Sequence, residues 1–269
     1  MEPDRGEIGV GASADTSLRV SVATLVRLLF EHPEEGKTIL ALERTASLRS
    51  IEGRPEVIVS AKPFGGGVRL TNPALLKSLI GPFRYDSERS RQDQDFRILI
   101  HPSSWSTLES ICREHWGDPV AGILDPSAER ELVEEFEDSL QRNLAPDQYR
   151  LRPWEIYVED HPVETDSVRA AGMATVRVYY IYEARMQAPE LVSLMLDNAS
   201  RYTDKDLQEL ASEDARRGGK GRANAILTLA LDELMDHYLT IPKDGRGAPT
   251  SLRGHRLNGN VRVILGVNR

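Results

Sequence analysis

Apolar and polar positions change rhythm along the chain, and the changes mark out its elements. Leu18 to Phe30 (LRVSVATLVRLLF) is apolar at helical spacing and is followed by His32-Pro33, which predicts a short helix. Thr38 to Glu43 and Glu56 to Ala61 are short β-prone runs separated by a polar stretch with Gly53 and Pro55, which predicts two strands. The second run leads through Lys62-Pro63-Phe64 into Gly65-Gly66-Gly67, where the backbone needs unusual freedom.

From Thr71 to Leu124 the pattern predicts a helix near Pro73 to Ile80, a charged loop over Arg84 to Asp95, a strand at Phe96 to Ile100 and a helix near Ser103 to His115. Asp125-Pro126 then reads as an N-cap and first helical residue, opening a helix to about Arg142. Trp154 to Val158 and Ala174 to Arg185 read as strands, and Pro189 to Ala199 and Asp204 to Ala215 as helices. A basic glycine-rich loop, Arg216 to Arg222, precedes a strand at Ile226 to Leu229, a helix at Leu231 to Leu239 and a strand-like Val261 to Val267. Mixed strands and helices place the chain in the α/β or α+β class, with no internal repeat.

The composition limits the functions available to this fold. Of 269 residues, 42 are Asp or Glu and 34 are Lys or Arg, a formal charge of −8 that argues against nucleic acid as the main partner. The single cysteine, Cys112, rules out an intramolecular disulfide and any Cys-rich zinc site, in keeping with a reducing, cytoplasmic setting. Residues 1–17 lack a secretory pattern and read as a loose tail. The strongest apolar run contains Arg19 and Arg27 and falls short of the roughly 20 residues of a bilayer span, so no membrane partner is expected.

Candidate chemistry concentrates on the helix that holds Arg130 to Leu140. At about 100° per residue, Glu131, Glu134, Glu135 and Asp138 share one stripe, while Leu132, Phe136 and Leu140 lie opposite. Like charges at these spacings repel, and converging carboxylates offer hard oxygen ligands to Mg²⁺ or Mn²⁺. A solvated acidic face is the plainer alternative.

The order of residues adds to this reading. Arg130-Glu131-Leu132-Val133-Glu134-Glu135 resembles the R-E-(aliphatic)-x-E-E core of the Nudix box. Lys62-Pro63-Phe64-Gly65-Gly66-Gly67-Val68 is similar to the glycine strand that precedes that box, and Leu227 to Leu234 to the segment that closes the domain. Gly67 and Arg130 stand 63 positions apart, much farther than in the box, which implies an insertion at 71–124. The glycine that normally follows the paired glutamates is replaced by Glu137-Asp138.

The resemblance implies a Nudix-like α/β/α sandwich over 18–240, with a mixed sheet, an inserted α+β segment and a basic extension at 241–269. It further implies Glu131, Glu134 and Glu135 as ligands of Mg²⁺ or Mn²⁺, with Arg130 orienting a glutamate. Glu134, Glu135 and Arg130 are the expected catalytic residues, acting on a pyrophosphate bond in a nucleotide-type substrate. A module that has lost turnover and senses a nucleotide, or contacts another protein, is the alternative. A homo-oligomer is left open, as is the choice of a later-loop base among Glu183, Glu190 and Asp204.

Gly66, Gly67, Lys220 and Arg222 are the candidate substrate-binding residues, the last two because a glycine-rich turn exposes N–H groups to phosphate; a plain surface loop is the alternative. The run Arg84 to Arg91 either covers the site or forms an exposed charged loop. The six histidines show no zinc spacing, Cys112 near His115 reads as an ordinary buried thiol, and Tyr179, Tyr180 and Tyr182 read as strand packing.

Overall fold

The computed structural model describes residues 17–51, 53–114, 116, 122–159, 161–164, 172–234, 239–240, 251–252, 254–257 and 259–266. Strands β1 (Leu18–Glu31), β2 (Thr38–Ile51), β3 (Arg54–Lys62) and β4 (Phe64–Gly67) come first. Next are β5 (Arg69–Leu70), α1 (Pro73–Ile80), β6 (Arg84–Tyr85), α2 (Glu88–Gln92), β7 (Arg97–Ile100), α3 (Trp105–Glu114) and β8 (Leu124–Asp125). Helix α4 (Ala128–Leu140) precedes β9 (Tyr149–Val158), β10 (Val163–Glu164) and β11 (Ala174–Met186). Helices α5 (Pro189–Arg201) and α6 (Asp204–Arg216) lead to β12 (Arg222–Ala230). The described residues close with β13 (Leu239–Thr240), β14 (Ser251–Leu252), β15 (His255–Leu257) and α7 (Gly259–Leu265).

Thirteen of these strands form one mixed, mainly antiparallel sheet, and β1 is its hub. One edge of β1 runs parallel to β11 from Arg19 to Leu29. Its other edge is shared, antiparallel, by β7 at Leu18–Ser21, β4 at Ala23–Val26 and β2 at Leu28–Glu31. This corrects the helix expected over Leu18 to Phe30. A strand paired on both edges and covered on both faces needs apolar residues in nearly every position, so its sequence loses the alternation that marks a half-buried strand.

The two faces of β1 feed two cores. Val20, Val22, Val26 and Leu28 pack into a large cluster with Leu76 of α1, Leu108 of α3, Leu132 and Phe136 of α4 and Leu191 of α5. Leu25 and Leu29 face a second cluster with Leu40, Leu42, Ile181 and, from α7, Val261, Val263 and Ile264. Helices therefore cover both faces of the sheet, and the chain is a mixed α/β protein. The helix at the C-terminal end replaces the expected strand at Val261 to Val267. Its β-prone residues are helical because burial of Val261 and Ile264 on one face outweighs their modest intrinsic preference.

Other expectations shift by smaller amounts. Asp125 lies in β8, paired with Arg69, and α4 starts after Ser127, a left-handed residue at φ 40° with no side-chain cap; Asp125-Pro126 is not the helix start. The reason is tertiary: Thr24 Oγ1 donates to the Pro126 carbonyl at 2.6 Å, holding that residue against β1. The charged stretch 84–95 contains β6 and α2, the latter capped by Ser87. Asp86 pairs there with Arg19 of β1 at 2.7 Å, and burial, opposed by bonds from Ser90 and Arg19, leaves its carboxyl below the usual range. Of the helix expected at Leu231 to Leu239, Leu231–Glu233 form a 3₁₀ turn continued by helical Leu234, residues 235–238 lie outside the described set, and Leu239 belongs to β13. Most of the 1–17 tail and His115 also lie outside it. Cys112 is buried, its thiol pushed up to about 12 by desolvation, and Tyr180 donates to its carbonyl at 2.8 Å. No described helix is long and apolar enough to cross a membrane.

Candidate functional site

Helix α4 is anchored by Leu132, Phe136 and Leu140, which are buried, as the two-faced pattern requires. Its acidic stripe is not simply solvated. Glu131 is only 8% exposed, and Glu135 is half-buried, whereas Glu134 and Asp138 face solvent. The element that covers the first two is β4, the glycine strand, brought there by its pairing with β1.

Each of the three glycines makes room for a different group. At Gly65, φ is 136° and a Cβ would stand 2.1 Å from the Thr24 carbonyl oxygen, so both conformation and close backbone approach exclude a side chain. At Gly66 a Cβ would stand 1.8 Å from Glu131 Oε2, and at Gly67 2.3 Å from Asp95 Oδ1. The carboxylates of Glu131 and Asp95 thus occupy the places where side chains of the glycine strand would be. The Gly65 N–H donates to Glu135 Oε2 at 2.6 Å.

Two cations divide the carboxylates between them. Lys62, three residues before the first glycine, reaches Glu135 Oε1 at 3.0 Å and Glu43 Oε2 at 2.7 Å. Glu43 on β2 is 1% exposed and also accepts from Thr45 Oγ1 at 2.8 Å. Arg130 pairs with Glu131 and, at 3.1 Å, with Glu134. Burial pushes the Glu135 carboxyl up to about 7; Lys62 and the Gly65 N–H oppose the shift, and Glu43 adds to it. Burial likewise raises Glu131, against Arg130, with Glu134 and Asp95 contributing in the same direction. The ammonium of Lys62 is held above its ordinary value, desolvation being outweighed by Glu43 and Glu135.

Arg222 joins the edge of this network, its guanidinium 3.7 Å from Glu43 Oε1. Lys220 does not; it lines a cleft of about 970 Å³ between the C-terminal end of α4, α5, α6 and β12, together with Arg222 and Asp138. The backbone cradle expected of the glycine loop is absent. Gly218 and Gly219 N–H groups bond to the Ala215 and Asp214 carbonyls, and those of Gly221 and Arg222 to Asp214 Oδ2 at 2.8 and 3.2 Å. These four amides terminate α6 and hold its loop, so a phosphate would meet chiefly the side chains of Lys220 and Arg222.

Sequence reading did not single out Glu43, Asp95 or the cationic role of Lys62. A carboxylate ending an apolar strand run, as Glu43 does, was the available signal, since buried acids are rare without a partner. Asp95 carried none, because its place beside Gly67 depends on the fold of residues 69–125. The candidate bases are engaged elsewhere: Glu183 pairs with Arg152 at 2.7 Å, Glu190 accepts from Gln148 at 3.3 Å and Asp204 lies 3.5 Å from Arg44. Within the Arg84 to Arg91 run, Asp86 pairs with Arg19 of β1 and Arg91 with Glu88.

The carboxylate oxygens of Glu131, Glu134 and Glu135 are the hard donor type that suits Mg²⁺ or Mn²⁺, while the space beside Gly66 is already filled by the Glu131 carboxylate. Among the described residues no three metal-ligating side chains converge on one point; Glu135 is paired with Lys62 and Glu131 with Arg130. Exposed Glu134 and its pair with Arg130 are the least costly to rearrange. No protein-family model, curated protein or solved structure matches this chain.

Proposed function

We propose that this chain is a Nudix-like hydrolase that cleaves a pyrophosphate bond in a nucleoside diphosphate-linked substrate with Mg²⁺ or Mn²⁺. One observation carries the reading. The glycine strand Gly65–Gly67 rests on the Glu131/Glu135 face of α4, although 63 positions separate Gly67 from Arg130. A coincidental sequence echo has no reason to bring these two segments together.

In this reading Glu131, Glu134 and Glu135 would hold the divalent ion, which when bound would supply charge neutralisation for the pyrophosphate and activation of the attacking water. The protein's own residues set the stage for it. Arg130 orients Glu131 and Glu134, Lys62 and the Gly65 N–H fix Glu135, and the missing side chain of Gly66 lets Glu131 lie against the strand. Glu134 is open to solvent.

Assay of a panel of nucleoside diphosphate-linked compounds with Mg²⁺ or Mn²⁺ is expected to yield phosphate-bearing products from at least one. Glu134→Gln combined with Glu135→Gln should abolish turnover while circular dichroism shows an intact fold; undiminished turnover rejects the assigned site. A second reading, nucleotide sensing without turnover, is favoured by Lys62, whose ammonium sits between Glu43 and Glu135 as a built-in cation. Metal-independent nucleotide binding with no product would support it.

A further inference from the structure

The cleft beside the glycine loop has a chemistry of its own, one turn beyond Glu135 on the same helix. Ser139 follows Glu131 and Glu135 at successive intervals of four, which continues their stripe toward the C-terminal end of α4. Its side chain lines the cleft, the residue is 6% exposed, and its Oγ has no hydrogen-bond partner. Across the cleft on β12, Asn224 Oδ1 is also buried without a partner. Buried polar atoms are almost always satisfied, and two orphans in one cleft point to a hydrogen-bonding ligand.

The charges at the rim narrow its nature. Arg217 is taken by Glu213, and the Asp214 carboxylate by the loop amides, which leaves Lys220, Arg201 and Arg222 as cations. Lys220 and Arg201 are exposed; Arg201 stacks over Tyr202 with 5.3 Å between guanidinium carbon and ring centroid, and Arg222 leans toward Glu43. Asp138 adds an acceptor to the lining. Cations together with a hydroxyl, an amide and a carboxylate suit a ligand that carries both an anionic group and hydroxyls. The volume of about 970 Å³ is ample for such a small molecule.

We infer that this cleft binds a phosphorylated sugar, its phosphate on Lys220 and Arg201 and its hydroxyls on Ser139, Asn224 and Asp138. The sugar phosphate is either free or part of a nucleotide; its recognition does not require that the α4 carboxylates hydrolyse anything.

Titration calorimetry of the full chain in chelator-containing buffer separates this site from the metal-dependent activity. Ribose 5-phosphate is expected to bind more tightly than inorganic phosphate or ribose alone. Lys220→Ala should weaken it about tenfold, the scale of one charge-assisted hydrogen bond. Ser139→Ala should weaken it several-fold without lowering the urea midpoint, since the variant removes an unsatisfied hydroxyl and no internal contact. Tighter binding of ADP than of ribose 5-phosphate would identify a nucleotide as the source of the sugar phosphate, and equal binding a free one. Inorganic phosphate binding as well as ribose 5-phosphate, affinities untouched by both substitutions, or no heat from any probe at millimolar concentration would overturn the inference.

Discussion

The protein holds two glycine-rich segments of similar composition, Gly65–Gly67 and Gly218–Gly221, and their first glycines are there for opposite reasons. In β4 the glycines are removed side chains: helix α4, β1 and Asp95 press so close that a Cβ would meet atoms at 1.8 to 2.3 Å. In the loop after α6, Gly218 faces open space at φ 83° and provides a left-handed turn, while a Cβ would meet Asp214 Oδ1 at 2.2 Å at Gly219 and Leu48 Cβ at 2.9 Å at Gly221. Both segments also bind a carboxylate through backbone N–H groups, Glu135 in one and Asp214 in the other. Glu135 reaches its glycine from an element far along the chain, Asp214 from only seven residues away. Glycine content thus marks tertiary contacts throughout the first segment and mainly a local cap in the second, where Gly221 alone also lies against Leu48.

The largest effect that tests this contrast is at Gly65. Gly65→Ala forces a Cβ against the backbone of Thr24 at a φ that L residues rarely adopt. A loss of about 4 kcal/mol, or of the folded state altogether, is expected from urea unfolding. A loss under about 1 kcal/mol would mean that β4 does not press on β1 as described.

Lys62→Met ranks next. It leaves Glu43 and Glu135 without their shared ammonium, and a loss of about 3 kcal/mol is expected. The pH dependence refines this test. The Glu135 carboxyl is raised from 4.5 to about 7 in the folded chain, so the folded state binds more protons than the unfolded one in that interval. Its contribution to stability therefore falls as pH rises from about 4.5 to about 7. Glu135→Gln should flatten that part of the stability profile in a metal-free urea series, and Lys62→Met should extend the fall to higher pH. An unchanged profile in Glu135→Gln would show that the carboxylate is not held in the buried state described.

The smallest effect belongs to the loop. Gly218→Ala meets no neighbouring atom and carries only the strain of positive φ, for which about 1 kcal/mol is expected. A loss comparable with that of Gly65→Ala would erase the distinction between the two segments.

The stripe on α4 was legible in advance because helix periodicity is a local property: Leu132 and Phe136 go in and Glu134 goes out whatever surrounds them. Helix α1 matches its expected bounds for the same reason, with Asn72 as its N-cap and Pro73 at its first turn. Where the environment overrules the local pattern, the reading missed. Leu18 to Glu31 is a strand because four others share its edges, and Val261 and Ile264 are helical because α7 packs on the face formed by Leu25 and Leu29.

The candidate site divides along the same line. Residue type and spacing alone determined the grouping of Glu131, Glu134, Glu135 and Asp138 and the unusual backbone freedom of the Gly65-Gly66-Gly67 run. Only the tertiary structure decided that Glu131 fills the space beside Gly66, that Lys62 joins Glu43 to Glu135, and that Ser139 and Asn224 face one cleft without partners. Periodicity sorts residues within one element, but which charges become buried, and which cation neutralises them, depends on how strands distant in sequence come together.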